Sequence, residues 1–241
     1  MNRYLLPCLL ACVLTCILAV PASADTDLFK GGHAKYLFLL NTFPDDSLFR
    51  DFIDTPSIDH FGDLRLKFGW QKDRVSLFSD SQLLAGKGDG FVLASSLPGN
   101  VLIPERSPSD RFRLMDLTHV ISESSDSVVV HRLDRLYVDI TSTKAVARIG
   151  RQAVSWGNGL IYTPMDFFNP FDPTAIDKEY NTGDDMVYGQ YLRPNGDDLQ
   201  AVWVLRTDLN GDVSSDVESI AAKYHGVAGE NEYYLLIAEH I

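Results

Sequence analysis

The residues able to do chemistry fall into rows rather than clusters. Asp63, Arg65 and Lys67 alternate with Leu64, Leu66, Phe68 and Trp70, and Arg135, Tyr137 and Asp139 alternate with Leu136, Val138 and Ile140. Gln200 and Arg206 stand opposite Leu199, Ala201, Trp203 and Leu205. Successive side chains of a strand point to opposite faces, so each row sets charged groups on one side of a sheet and apolar groups on the other. Arg148, Arg151 and Gln152 add guanidinium and amide groups, which meet anionic or polar solutes through paired hydrogen bonds. The candidates for a polar lumen or its constriction are therefore Arg65, Lys67, Arg135, Arg148, Arg151, Gln152, Arg206 and Lys223. A guanidinium so placed equally pairs with an acidic wall residue. The interleaved Asp63 and Asp139 predict weak ion selectivity rather than a strong field of one sign.

Hydrolytic and metal chemistry have weaker signatures. Neither Gly-x-Ser-x-Gly nor His-Glu-x-x-His occurs, and His33, His60, His119, His131, His225 and His240 lack metal-ligand spacing. Ser76, Ser79 or Ser81 would form a nucleophile and base with His131 only if folding joined them. Asp208-Leu209-Asn210-Gly211-Asp212 resembles the start of a calcium loop, yet Val213 stands where glycine is needed and Ser219 where the twelfth-position glutamate belongs. It reads as an acidic loop, and Gly86-Lys87-Gly88-Asp89-Gly90 reads as a turn. No catalytic residue, metal or cofactor is expected.

The elements that hold these rows follow an export leader. Asn2-Arg3, the apolar run Leu5–Val20 and the small-x-small site Ala22-Ser23-Ala24 form a secretory signal peptide over 1–24. Cys8, Cys12 and Cys16 all lie inside it, so the mature segment, 25–241, has no disulfide to staple it. With Arg3 taken off the 21 basic residues, 20 face 33 acidic ones, a balance of about −13 that argues against nucleic acid as a partner. After the leader no apolar stretch approaches the roughly 20 residues of a spanning helix, so any membrane crossing must use strands.

Period-two alternation predicts nine strands, near 32–40, 61–70, 74–84, 131–140, 145–153, 184–193, 198–206, 218–224 and 232–241. The stretch 112–122 suits a short helix as well as a strand. The links alternate long and short, and Pro194-Asn195-Gly196-Asp197 supplies residues suited to a tight turn. Outer-membrane barrels share this rhythm, with short turns at one end and long loops at the other. A soluble sandwich shows the same alternation with its apolar face turned inward. The fold expected is all-β: an antiparallel up-and-down transmembrane β-barrel.

One segment is more specific. Arg148-Ile149-Gly150-Arg151-Gln152 is followed by Trp156-Gly157-Asn158-Gly159 and by Pro164-Met165-Asp166-Phe167-Phe168-Asn169-Pro170-Phe171. A strand ending in Gly-Arg-Gln, a Trp-Gly turn and an Asp-x-x-Asn-Pro-Phe loop resembles a group of proteobacterial outer-membrane proteins similar to porins and alginate-export barrels. The residues carrying the resemblance in this loop are Gly150, Trp156, Gly157, Pro164, Asp166, Asn169, Pro170 and Phe171. The aromatics of 154–183, stiffened by Pro164, Pro170 and Pro173, should pack into the lumen or against the rim. The resemblance implies residence in the outer membrane, with its lipid and the barrel-assembly machinery as partners, and a porin-like or export-linked channel for an unidentified solute. Barrels of this kind are longer and even-stranded, so the nine strands predict a barrel incomplete at its C-terminus. An exported β-sandwich binding protein and, less strongly, an outer-membrane hydrolase are the alternatives.

Overall fold

The computed structural model describes residues 28–96, 108–156 and 182–240. Residues 1–24, where a leader is expected, and most of the aromatic loop, including Gly157, Pro164, Asp166, Asn169, Pro170 and Phe171, lie outside the described residues. The described chain is all-β with one short α-helix. The strands are β1 (Phe29–Asn41), β2 (Ser57–Lys72), β3 (Val75–Gly88), β4 (Thr118–Glu123), β5 (Ser127–Thr141), β6 (Ala145–Gln152), β7 (Asp184–Leu192), β8 (Asp198–Val204), β9 (Ser219–Ala228) and β10 (Asn231–His240). All nine expected strands are present.

The tenth, β4, comes from the stretch where alternation left helix and strand equally open. The other departure is the Gly86–Gly90 run. Gly86 to Gly88 finish β3, and Asp89-Gly90 open the helix α1 (Asp89–Ser96), where a simple turn was expected. Two side chains of β2 and α1 fix that start: Asp59 Oδ1 accepts from the Gly90 N–H at 2.7 Å, and Asp89 Oδ2 accepts from the Ile58 N–H at 2.8 Å.

The strands form one antiparallel sheet in the order β1-β2-β3-β5-β6-β7-β8-β9-β10, with β4 paired to β5. Each neighbour on the main path pairs antiparallel with the next, so the chain runs up and down. Among the described residues the sheet is not closed: β1 and β10 are its two edges. Four tight connections, 73–74, 142–144, 193–197 and 229–230, lie at one end. Asp73 at φ 54°, Gly196 at φ 93° and Gly229 at φ 65° supply the left-handed residues such turns require. The strand ends joined by 42–56, 89–117, 153–183 and 205–218 lie at the other end, as does the short β4–β5 link 124–126.

Register makes the two faces explicit. Trp70, Leu77, Val138, Ile149, Val187, Trp203 and Ile220 are consecutive cross-strand partners from β2 to β9, and they form one apolar row. That row faces solvent, with Ile149 and Ile220 each 54% exposed. The adjacent row, Gln71, Ser76, Asp139, Arg148, Tyr188, Val202 and Ala221, lies on the opposite, covered face. Arg65, Asp80 and Asp134 are buried on that covered face at 1–2% exposure.

Among the described residues the sheet has no second layer, and its connections fold against one face. α1 does part of this, setting Phe91 against Gly86, Val128 and Val130. Gly86 is required there, because a Cβ would occupy the Phe91 ring. Trp156 covers a second apolar patch made of Met186, Val202, Val204 and Ala221.

Candidate functional site: a charged ladder on the covered face

The ladder starts from a step in β5. Asp80 pairs with Arg135 and Ser81 with Leu133, so Asp134 is an extra residue with no partner across β3. Such a bulge re-aims side chains. It places the Asp134 carboxylate among three guanidinium groups. Oδ2 accepts from Arg65 Nη1 at 2.9 Å and from Arg135 Nη1 at 2.7 Å, and Oδ1 accepts from Arg132 Nη2 at 2.9 Å. Arg65 Nη1 also donates to Asp80 Oδ2 at 3.0 Å. Arg132 Nε donates to Gln82 Oε1, Gln82 Nε2 donates to Asp63 Oδ2, and His33 Nε2 lies 3.2 Å from the same oxygen. The bonds run unbroken from β1 to β5.

A second hub forms where β6 ends. Gly150 takes φ 126°, a conformation favoured for glycine, and a Cβ there would meet the Leu136 carbonyl. Beyond it alternation stops, and Arg151 and Gln152 are both buried. Arg151 forks onto Asp185, Nε to Oδ1 at 2.9 Å and Nη2 to Oδ2 at 3.0 Å, and gives Nη1 to Asp110 Oδ2 at 2.8 Å. Its Nη2 also donates to the Met115 carbonyl. Asp110 Oδ1 accepts from Arg113 Nη1 at 2.7 Å, and Asp184 Oδ2 accepts from Arg206 Nη2 at 2.7 Å. The two hubs meet at Gly183, whose N–H lies 3.3 Å from Asp134 Oδ1. A Cβ on Gly183 would press on the Arg151 side chain 2.8 Å away and on Arg135 Nη1 2.9 Å away.

The remaining candidates lie lower on the same face or at its far side. Arg148 forks onto Asp139 at 2.5 and 3.0 Å, with its guanidinium 4.4 Å above the Tyr137 ring. Lys67 stands opposite Asp80 in register. Lys223 sets its ammonium 5.7 Å from the Trp156 ring and 5.6 Å from that of Tyr234. Gln152 donates to the Met186 carbonyl at 3.1 Å, and Trp156 Nε1 donates to Gln200 Oε1 at 2.6 Å. Folding thus joins Arg65 with Arg135, and Arg151 with Arg206 through Asp110, Arg113 and Asp184, while Gln152 bonds to backbone carbonyls and Arg148 and Lys223 make separate contacts.

Sequence reasoning missed the acids at the centre, Asp80, Asp110, Asp134, Asp184 and Asp185, and also Arg113 and Arg132. The one signal available was Arg132-Leu133-Asp134-Arg135, an acid flanked by two arginines. On the opposite, apolar face the structure joins Ser81 Oγ to His131 Nε2 at 2.9 Å. Among the described residues no group of histidine, cysteine and acidic side chains has the geometry to hold a metal ion. No protein-family profile, curated protein sequence or solved structure matches the chain.

Removing one partner of a buried ion pair leaves the others uncompensated, at a cost of about 3–5 kcal/mol. Asp134→Asn takes a shared charged acceptor from three guanidinium groups, and urea titration should record a loss of that size. Asp110 adds a pH dependence. Burial, the largest influence, opposes its ionisation, but the hydrogen bonds from Arg151, Arg113 and the Leu117 N–H outweigh it and hold the carboxyl down at about 2. A depressed folded value stabilises the fold fully above the unfolded value of about 3.9, and that stability is lost as pH falls through 2. Urea titrations at pH 5 and pH 2 should show about 2 kcal/mol lost to this group, and Asp110→Asn should remove that part of the difference.

Proposed function

We propose that the sheet is wall of an outer-membrane β-barrel and that its charged covered face lines the route of a polar solute. The observation that carries this reading is the inversion of the two faces. A soluble sheet turns its apolar side inward, whereas here the apolar row from Trp70 to Ile220 faces out and Arg65, Asp80, Asp134, Arg151 and Asp185 are buried. A contiguous exposed apolar surface of this breadth belongs against lipid or a partner. The up-and-down order of the main path and the gathering of four tight turns at one end, with the long connections leaving from the other, support the same reading. So does the likeness of Gly150-Arg151-Gln152 and Trp156 to the porin-like and alginate-export-like group.

In lipid the edges β1 and β10 need hydrogen-bond partners, so the wall is closed by pairing of these edges with each other or with further strands. Acids and arginines are nearly matched along the ladder, so the route favours neither sign strongly.

Purified mature chain folded in detergent should migrate faster unheated than boiled and should fractionate with outer membranes. In planar bilayers it should conduct with weak ion selectivity. Recovery as a soluble periplasmic protein, with no heat-dependent band shift, would contradict this reading.

A further inference from the structure

Resting on the membrane reading, the apolar face carries a feature that a passive wall does not need. Ser81 lies opposite Leu66 of β2 and Leu133 of β5, and His131 lies opposite Leu83 of β3 and His119 of β4. These register positions place Ser81, His131 and His119 on the side of Leu64, Leu66, Leu77 and Val138. A serine and two histidines thus sit within a leucine-rich, lipid-facing surface. Polar and ionisable side chains there are costly, and they mark function more often than scaffolding. Ser81 Oγ and His131 Nε2 are 2.9 Å apart, the reach of a nucleophile to its general base. Both side chains are half-buried, so neither is sealed inside the sheet.

We propose that Ser81 and His131 form a nucleophile–base pair on the lipid-facing wall that cleaves carboxylic esters of amphiphiles. Ser81 is the seventh of the 14 residues of a strand that starts at the tight-turn end with Val75. At about 3.3 Å per residue and a tilt of about 40°, that is roughly 15 Å up an apolar band about 25 Å tall. An ester-linked acyl chain reaches this depth laterally, from the leaflet on the side of the long connections. In the reaction, Ser81 Oγ bonds to the acyl carbon while its proton passes to His131 Nε2. The bond to the leaving alcohol breaks, and that alcohol takes the proton. Water then attacks the acyl-serine, giving its proton through the same imidazole back to Ser81 Oγ and releasing the carboxylic acid.

The test is covalent trapping of the full chain folded in detergent, using a long-chain fluorophosphonate and peptide mapping by mass spectrometry. Ser81 should carry the phosphonyl group in the heat-modifiable form. Boiling before exposure should abolish labelling, and His131→Asn should slow it at least tenfold while keeping the band shift. An unlabelled Ser81 in protein that shows the band shift would overturn the proposal and leave the wall intact. So would labelling at an unchanged rate in a folded His131→Asn variant, since a hydrogen bond that only satisfies two polar groups does not activate the serine. Absence of the band shift in the parent chain would remove the membrane reading and this proposal with it.

Discussion

Asp134 sits one residue out of step with its strand, and the covered face is organised around that step. In regular alternation Arg135 would share the covered face with Tyr137 and Asp139, and Asp134 would point the other way. The bulge lets both residues turn to the same side, where one carboxylate accepts from Arg65, Arg132 and Arg135. Arg65 comes from β2, two strands away across β3, so this contact holds the sheet curled as well as neutralising charge. Gly183 extends the same carboxylate to the start of β7, where Arg151 and Asp185 begin the second hub.

The energetic logic differs from that of a soluble core. Buried ion pairs stabilise little in net terms, because desolvation offsets their attraction, but losing one partner is expensive. A sheet that leaves its apolar residues outside cannot rely on a hydrophobic interior. It draws order instead from the backbone ladder and from polar networks whose members bond to one another across the strands. The two apolar patches, Phe91 with Val128 and Val130, and Trp156 with Met186 and Val204, plug other parts of the covered face. Glycines set these contacts: Gly86 admits the Phe91 ring, and Gly150 turns β6 so that Arg151 and Gln152 are buried in succession.

Much of the strand layout was legible because its signals are local. Leu64 to Trp70 and Leu136 to Ile140 alternate without interruption, and Pro194-Asn195-Gly196-Asp197 contains the glycine its tight turn needs at φ 93°. β4 was obscured because Thr118–Glu123 is short and mixed in character. α1 was missed because two glycines flank its start, and its stability comes from Asp59 and Asp89 bonding across to and from β2 rather than from its own sequence. Alternation also placed Arg65, Arg135 and Arg148 on one face. It could not supply their acids, because partners such as Asp80, Asp110 and Asp185 are chosen by register, by the Asp134 bulge and by the folding back of residues 110–117. Those are long-range facts that no window of the sequence contains.

The central claim is that the apolar row faces lipid while the other side of the sheet does not, and the tryptophans report on it directly. Trp70 and Trp203 belong to the outward row at 40% and 44% exposure, whereas Trp156 is buried at 4%. Variants keeping one tryptophan each, reconstituted in vesicles of phospholipid with brominated acyl chains, separate the two sides by fluorescence quenching. The account predicts strong quenching of Trp70 and Trp203 and little of Trp156. Quenching of Trp70 and Trp203 by aqueous acrylamide, with none by the brominated lipid, would contradict it.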